Sequence, residues 1–416
     1  MHNELYLLAI NITRRCNLAC AHCYQDADSL KNGADGELTV DEVNSIIDEV
    51  ASRGTQTMVV LTGGEPLART DLEQMIAHGA QKSLAMVIGS NGALLTERRV
   101  LSLKKAGVLG IGISIDSLDQ KRHDAFRGLP GSLQKTLTAI EHCRKHKLSF
   151  QIHFTATKDN AHELNDIIAF GREKGARVLN IFFLICTGRG ESISDISPQK
   201  YDELLHQIMD AQEQYDDIII RPRCAPHFKR VAFERNPGSL MNRISGYDGD
   251  GCIAGTHYCR ITEKGAVTPC PYIPSEIGNI REQSFLSIWD SADMLQQLRR
   301  PELKGACGEC EYQKLCGGCR ARPLAMGGTL MDADPWCSHV PEGSVVIQPY
   351  QLENTVRWTK DAEQRLSRIP GFLQGMIKKR AEAYVLEQGQ SQVTAEHLSL
   401  LAAKRFGGKI PKRPNL

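Results

Sequence analysis

Cysteine spacing constrains this chain more than any other feature. Of fourteen cysteines in 416 residues, three stand at Cys16, Cys20 and Cys23, and eight lie between Gly251 and Cys337. The N-terminal segment has an apolar run of only six residues, Leu5 to Ile10, with no basic stretch before it and no small-residue cleavage site after it. It therefore reads as a first strand and not as an export signal. No later segment approaches the roughly 18 uninterrupted apolar residues of a membrane span, so a cytoplasmic chain is expected. Reducing conditions there leave a disulfide framework unexplained, and the cysteines point to metal.

Fifty Lys and Arg nearly cancel forty-nine Asp and Glu, which argues against a polyanion coat and leaves no nucleic acid or membrane surface as an expected partner. From Tyr6 to about Arg221, apolar β-type runs alternate with amphipathic stretches. This is the pattern of βα units around a parallel sheet. The strands are expected at Tyr6–Ile12, Met58–Thr62, Ala85–Gly89, Gly110–Ile115, Gln151–Thr157 and Val178–Leu184. Thr39 with Glu42 reads as a capping box, and Thr96 and Ser197-Pro198 read as further helix starts. The fold class is α/β, a partial (β/α)6 TIM-like barrel over residues 1–235. Asn236 to Gly251 is rich in Gly, Asn, Ser and Asp and reads as a linker. A cysteine-rich domain over 246–345 and a small helical domain over 356–408, with Thr359 and Thr394 as caps, follow it, and the basic, proline-containing end Lys409–Leu416 reads as a frayed tail.

Cys16, Cys20 and Cys23 follow the first strand with spacing C-x3-C-x2-C. Three thiolates hold three corners of a [4Fe-4S] cube and leave one iron open. A zinc ion closed by His22 is the alternative. With His22 in the aromatic position, the motif resembles the radical SAM (S-adenosylmethionine) superfamily, and Gly63-Gly64-Glu65-Pro66, Ser90-Asn91 and Ser114-Ile115-Asp116 follow in that family's order at later strand ends. The resemblance implies that Gly63, Gly64, Glu65 and Pro66 frame the SAM amino group, and that Ser90, Asn91, Ser114 and Asp116 reach its ribose or carboxylate. It further implies reductive cleavage of SAM to a 5′-deoxyadenosyl radical, with electrons from a donor such as ferredoxin or flavodoxin.

The later cysteines, Cys252-x12-Gly265-x4-Cys270, Cys307-x2-Cys310-x5-Cys316-x2-Cys319 and Cys337, resemble the SPASM extension of radical SAM enzymes. That resemblance implies two auxiliary [4Fe-4S] clusters, one on Cys252, Cys259, Cys270 and Cys319 and one on Cys307, Cys310, Cys316 and Cys337. The chain departs from the family in having only Gly317 and Gly318 between Cys316 and Cys319, which bears on Cys319. Two structural zinc ions are the alternative. Cys143 and Cys186 read as ordinary buried thiols. Cys224, among Arg223, Pro226 and His227, reads as a thiol of lowered pKa that donates hydrogen or ligates near substrate, or else as another buried thiol.

Cys23–Ala27, His123–Gly128, Thr187–Gly190, Cys224–Pro226, Gly251–Gly255 and Cys316–Arg322 together resemble the haem-biosynthesis branch of that superfamily. Its didecarboxysirohaem deacetylases and haem d1 proteins remove side chains from tetrapyrroles. On Tyr24 and Gly251–Gly255, the haem synthases of the same pathway are expected to match less well. A polycarboxylate tetrapyrrole needs cations, and Arg189, Arg221, Arg223, His227, Lys229, Arg230 and Arg235 supply them, unless they form a solvated basic face. His227 and His257 are candidate ligands for substrate iron. Trp358–Glu363, Arg368-Ile369-Pro370 and Val393–Glu396 resemble the small C-terminal domain of light-independent protochlorophyllide reductase, which typical deacetylases lack. A peptide maturase and a non-catalytic iron-sulfur or zinc scaffold are the other readings.

Overall fold

Leu7–Thr13 (β1) is a seven-residue apolar strand with its last six residues buried. The computed structural model describes residues 4–30, 35–54, 56–185, 187–192, 196–237, 251–348, 356–369 and 371–406. Cys186, Pro370, most of the expected linker and the basic tail lie outside the described residues. After β1, two short strands, Arg15–Cys16 (β2) and Asp28–Ser29 (β3), pair in parallel and close the loop between them. Met58–Gly63 (β4), Ala85–Ser90 (β5), Gly110–Ser114 (β6), Phe150–Ala156 (β7), Val178–Phe183 (β8) and Ile219–Arg223 (β9) then continue from β1 as one parallel array in chain order. The six expected strands form within one residue of the ends read from the sequence. The seventh, β9, was not expected, because Pro222 and two arginines in five residues hide its period.

On the other side of β1, Tyr258–Ile261 (β10) adds in parallel, followed by antiparallel Ala266–Thr268 (β11) and Gly278–Asn279 (β12). The cysteine-rich segment thus begins as an extension of the barrel sheet.

The connecting helices are Val40–Ser52 (α1), Leu72–Gln81 (α2), Glu97–Ala106 (α3), Gln120–Arg127 (α4), Ser132–Lys145 (α5), Leu164–Glu173 (α6) and Pro198–Gln214 (α7), with Phe228–Arg235 (α8) after β9. Thr39 and Glu42 form the capping box, and Thr96 and Ser197 cap α3 and α7. Their apolar faces and the outer faces of the strands share one core that includes Ile46, Ile76, Leu103, Ile140, Ile167 and Leu205. Burying each such side chain contributes roughly 1.5–3 kcal/mol.

The opposite face of the array is polar. Along β7, Phe150, Ile152, Phe154 and Ala156 are buried, while Gln151, His153 and Thr155 alternate with them and are only partly so. Arg221 and Arg223 alternate in the same way on β9. The His153 ring lies across Gly112 of β6, where a Cβ would come within 2.3 Å of it. This face is the barrel lumen.

Residues from Arg357 form a separate unit: a parallel pair, Arg357–Trp358 with Gln392–Val393, and three helices around Ala362, Ala381, Val385, Val393 and Leu398. Thr359 caps its first helix. Among the described residues, no helix is long and apolar enough to cross a membrane.

Candidate active site

Cys16, Cys20 and Cys23 sit in a loop held from four directions. Beyond the β2–β3 pairing, Ala19 N and Ala21 N donate to the carbonyls of Arg127 and Phe126, at 3.3 and 2.9 Å, and Arg189 N donates to Cys23 O at 3.1 Å. Each thiol also receives an N–H: Leu18 N to Cys16 Sγ at 3.4 Å, Arg127 Nη1 to Cys20 Sγ at 3.7 Å and Ala27 N to Cys23 Sγ at 3.5 Å. Burial, with Glu65, Cys20 and Cys23 close by, pushes the Cys16 thiol up to about 12 despite the Leu18 amide. Metal ligation would hold the three sulfurs as thiolates, and these N–H donors would then stabilise them. His22 stacks on Phe126 with centroids 4.4 Å apart, and burial lowers its pKa to about 4.

Gly63 and Gly64 end β4 against the end of β1. A Cβ on Gly63 would stand 2.2 Å from Thr13 O and one on Gly64 2.3 Å from Arg15 O, while Gly64 N and Glu65 N donate to those carbonyls. The glycine pair is thus required first by backbone packing against the cysteine loop. Glu65 is buried and accepts from Leu67 N, Ser90 Oγ and Asn91 N at 3.0, 2.8 and 2.8 Å, so it ties the turn at Pro66 to the end of β5. Asn91 Nδ2 in turn donates to Asn17 Oδ1 at 2.9 Å and approaches Cys16 Sγ. Ser114 Oγ donates to Ser90 O at 3.4 Å. Asp116 is ion-paired with Arg127 and accepts from Thr155 N. Burial opposes its charge, but Arg127, His22 and His123 outweigh it and hold the carboxyl below the usual range. Arg127 therefore bridges Asp116 to Cys20, a role no spacing rule in the sequence reveals.

The later cysteines fall into two groups. Cys307, Cys310, Cys316 and Cys337 line one small cavity, with amide donors from Asp334 to Cys307, Tyr312 to Cys310 and Gly318 to Cys316 at 3.4–3.5 Å. Cys319 belongs to a different apolar cluster, with Cys252, Cys270 and Cys224. Gly317 and Gly318 both adopt left-handed φ, 64° and 68°, and this double turn lets Cys316 and Cys319 serve opposite groups across the shortened spacing. Cys259 joins neither group. It lies on β10 opposite Leu8, fully buried in the barrel core, and its Sγ faces Thr268 O at 3.4 Å. Cys143 is buried on α5 as expected.

Other expectations are corrected. Burial pushes the Cys224 thiol well above its usual value, and the neighbouring Cys319 adds to the shift, with Arg322 and Arg223 opposing it, so it is not the low-pKa thiol that its basic neighbours suggested. Arg189 is committed to the cysteine loop, donating to Cys20 O at 2.9 Å and Ala27 O at 3.4 Å. Arg230 pairs with Asp202 and Glu234, and Arg235 with Asp210 and Glu213. His227 is enclosed against Tyr201 and Asp334, and His257 bonds Glu4 O. Arg223 remains at the lumen, where Nε donates to Asn180 Oδ1 at 2.9 Å. A second cation, Arg260, lies over Tyr24, whose ring meets Tyr272 5.7 Å away.

Size distinguishes zinc from a cluster. Four thiolates around zinc at about 2.3 Å stand roughly 3.8 Å apart. Among the described residues, one group of three metal-ligand side chains comes within 4.8 Å mutually, Cys310, Glu311 and His339, drawn together by a 2.7 Å His339–Glu311 hydrogen bond. Among the described residues, no three thiols of a cysteine group lie within 4.8 Å of one another, so none is gathered as tightly as a closed zinc site.

The Radical SAM superfamily profile matches residues 10–171, the SPASM iron-sulfur cluster-binding domain 252–319, and the proto-chlorophyllide reductase 57 kD subunit 358–401. An AdoMet-dependent heme synthase of Methanosarcina barkeri is 40% identical over 347 residues, 82% of this chain and 98% of the relative. The chain belongs to the radical SAM superfamily, in its haem-biosynthesis branch. As a radical SAM enzyme with a SPASM domain, it uses SAM and iron-sulfur clusters.

A second AdoMet-dependent heme synthase, from Nitratidesulfovibrio vulgaris, is 37% identical over 80% of this radical SAM enzyme and 92% of the relative. The pre-heme d1 synthase of Dinoroseobacter shibae is 27% identical over 79% and 82%. The expectation that haem synthases would match less well is overturned. Tyr24 and Gly251 mark packing more than substrate: Tyr24 meets Tyr272, and a Cβ on Gly251 would stand 2.0 Å from Cys316 O. Among solved structures, Streptococcus suis SuiB bound to S-adenosylmethionine shares the fold, with a TM-score of 0.65 at 18% identity over 81% of this chain and 78% of that one.

Proposed function

We propose that this radical SAM enzyme acts in haem formation, abstracting hydrogen from a propionate or acetate side chain of a sirohaem-derived iron tetrapyrrole so that the side chain is decarboxylated or removed, the electron left on the substrate passing to an auxiliary iron-sulfur cluster. The similarity to AdoMet-dependent heme synthases along most of the chain carries this reading. In it, Cys16, Cys20 and Cys23 hold the SAM cluster, the Gly63–Pro66 turn with Ser90, Asn91 and Ser114 frames SAM, and Cys307, Cys310, Cys316 and Cys337 hold one auxiliary cluster. The bound cluster and SAM supply a one-electron cleavage, and with it a carbon radical able to take a hydrogen atom.

The chain's own residues do the rest. Arg127 and the loop amides offset the charge on the thiolates, and Glu65 fixes the strand ends that face SAM. Arg223, braced by Asn180, offers the lumen a guanidinium for a side-chain carboxylate. Asp116 is spent on Arg127 and serves by positioning it.

The test is anaerobic incubation with SAM, a reductant and either didecarboxysirohaem or an iron porphyrin bearing propionates, followed by mass spectrometry. Expected is 5′-deoxyadenosine together with loss of carboxylate-bearing mass from one of them. Deoxyadenosine without change in either tetrapyrrole would sink the proposal and leave the peptide-maturase reading.

A further inference from the structure

We propose that Cys224, from the barrel, is the fourth ligand of the auxiliary cluster held by Cys252, Cys270 and Cys319, and that Cys259 is no ligand. The assignment rests on the iron-sulfur reading of the cysteine-rich domain and is independent of the substrate.

Three observations support it. Cys224 packs with Cys252, Cys270 and Cys319 in one small apolar cluster, beside Ile185 and Ile273. Arg322, the buried cation beside Cys224 and Cys319, would offset part of the charge that ligated thiolates carry there. Each of these cysteines is a free thiol, so the grouping is not a disulfide pair.

The backbone at Cys224 is also held in an unusual state. Its φ is +55°, in the left-handed region that a non-glycine residue rarely occupies. Arg322 Nη2 donates to Cys224 O at 2.7 Å, while Arg322 Nη1 donates to Asp334 Oδ2 at 2.6 Å. The same Asp334 oxygen accepts from Cys319 N at 2.7 Å. One buried Arg–Asp pair thus fixes the backbones of a barrel thiol and a SPASM thiol together. Strain of this kind persists where the surroundings over-determine a geometry, and here the strained residue is the one that packs with the other three cysteines.

Cys259 has the opposite setting. It is committed to the β1–β10 ladder and its sulfur points at Thr268 in the barrel core. Turning it to the other face would need a one-residue slip of β10, which reverses every side chain on that strand.

Four protein thiolates close the cube and leave no iron for an external ligand, which assigns this cluster to electron transfer. Its ligands come from both sides of the 238–250 segment, so the cluster also links barrel to SPASM domain.

The test is made in full-length protein carrying Cys16→Ala, Cys20→Ala and Cys23→Ala, so that only auxiliary clusters remain, reconstituted anaerobically with iron and sulfide. Adding Cys224→Ala is expected to remove one cluster's iron or leave a three-iron EPR signal, and adding Cys259→Ala to leave iron, sulfide and EPR unchanged. Cys224→Ser, with circular dichroism and the surviving signal of the second cluster as controls for folding, guards against a merely unfolded variant. Full iron in Cys224→Ala, or loss of a cluster in Cys259→Ala, would overturn the assignment. Zinc without sulfide in the parent protein would instead sink the iron-sulfur reading beneath it.

Discussion

Arg223, partly buried, and Arg127, fully buried, are cations with different work to do. Arg223 faces the lumen, and its loss as Arg223→Met should lower kcat/KM for a carboxylate-bearing substrate roughly 10–100-fold, the worth of a charge-assisted hydrogen bond. Most of the change should fall in KM, which steady-state kinetics at varied substrate will show, while deoxyadenosine formed without substrate should persist. Arg127 is internal, and Arg127→Met strands the Asp116 carboxylate in a buried site. That should cost about 3–5 kcal/mol, read as a fall in thermal midpoint, and Asp116→Asn added to it should recover much of the loss. Neither role was separable in the sequence. Arg223, Arg230 and Arg235 look alike as a basic run, but Arg223 donates to Asn180 on the lumen side, whereas Arg230 and Arg235 meet the acid row on α7, Asp202, Asp210 and Glu213. The same holds for Cys224 and Cys259: spacing favours the one inside the motif, whereas strand register turns it into the core.

At the scale of elements, the contact between the ends of β1 and β4 carries the site. Gly64→Ala would drive a Cβ to within 2.3 Å of Arg15 O, so β4 must part from the cysteine loop. SAM-cluster iron and SAM binding should both fall sharply, with the two auxiliary clusters retained, as EPR of the reconstituted variant will show. β7 brings a pH dependence. His153 has its pKa lowered to about 4 by burial, then by Arg223 and Arg127, whereas the unfolded residue titrates near 6.5. Between those values the unfolded chain holds a proton that the folded one does not, so stability falls as pH drops through this window, by up to about 1.4 kcal/mol per pH unit. His153→Gln should flatten that part of a plot of thermal midpoint against pH. The strands themselves were legible because buried parallel strands are apolar runs bounded by turn residues. β9 was not, since two of the three positions it turns to the lumen are arginines and Pro222 interrupts the apolar run.

The whole molecule divides unevenly. The unit from Arg357 has its own small core, and the Methanosarcina relative is covered almost completely by 82% of this chain. Ending the chain at residue 348 should therefore leave iron content and reductive SAM cleavage intact, which iron analysis and deoxyadenosine release will check. The helical content of this unit was readable from period and caps; its strand pair, of two residues each, is too short to leave a pattern. The larger division is less clean than the sequence suggested, because Leu7–Ile10 pair on one side with β4 and on the other with residues 258–261. During synthesis, β1 has one edge paired early and the other open until about 250 more residues have been made. An open apolar edge of that kind is a site for pairing with other chains. Expression of any fragment ending before Tyr258 should give aggregates, and the hairpin that follows acts as the enzyme's own last safeguard against them.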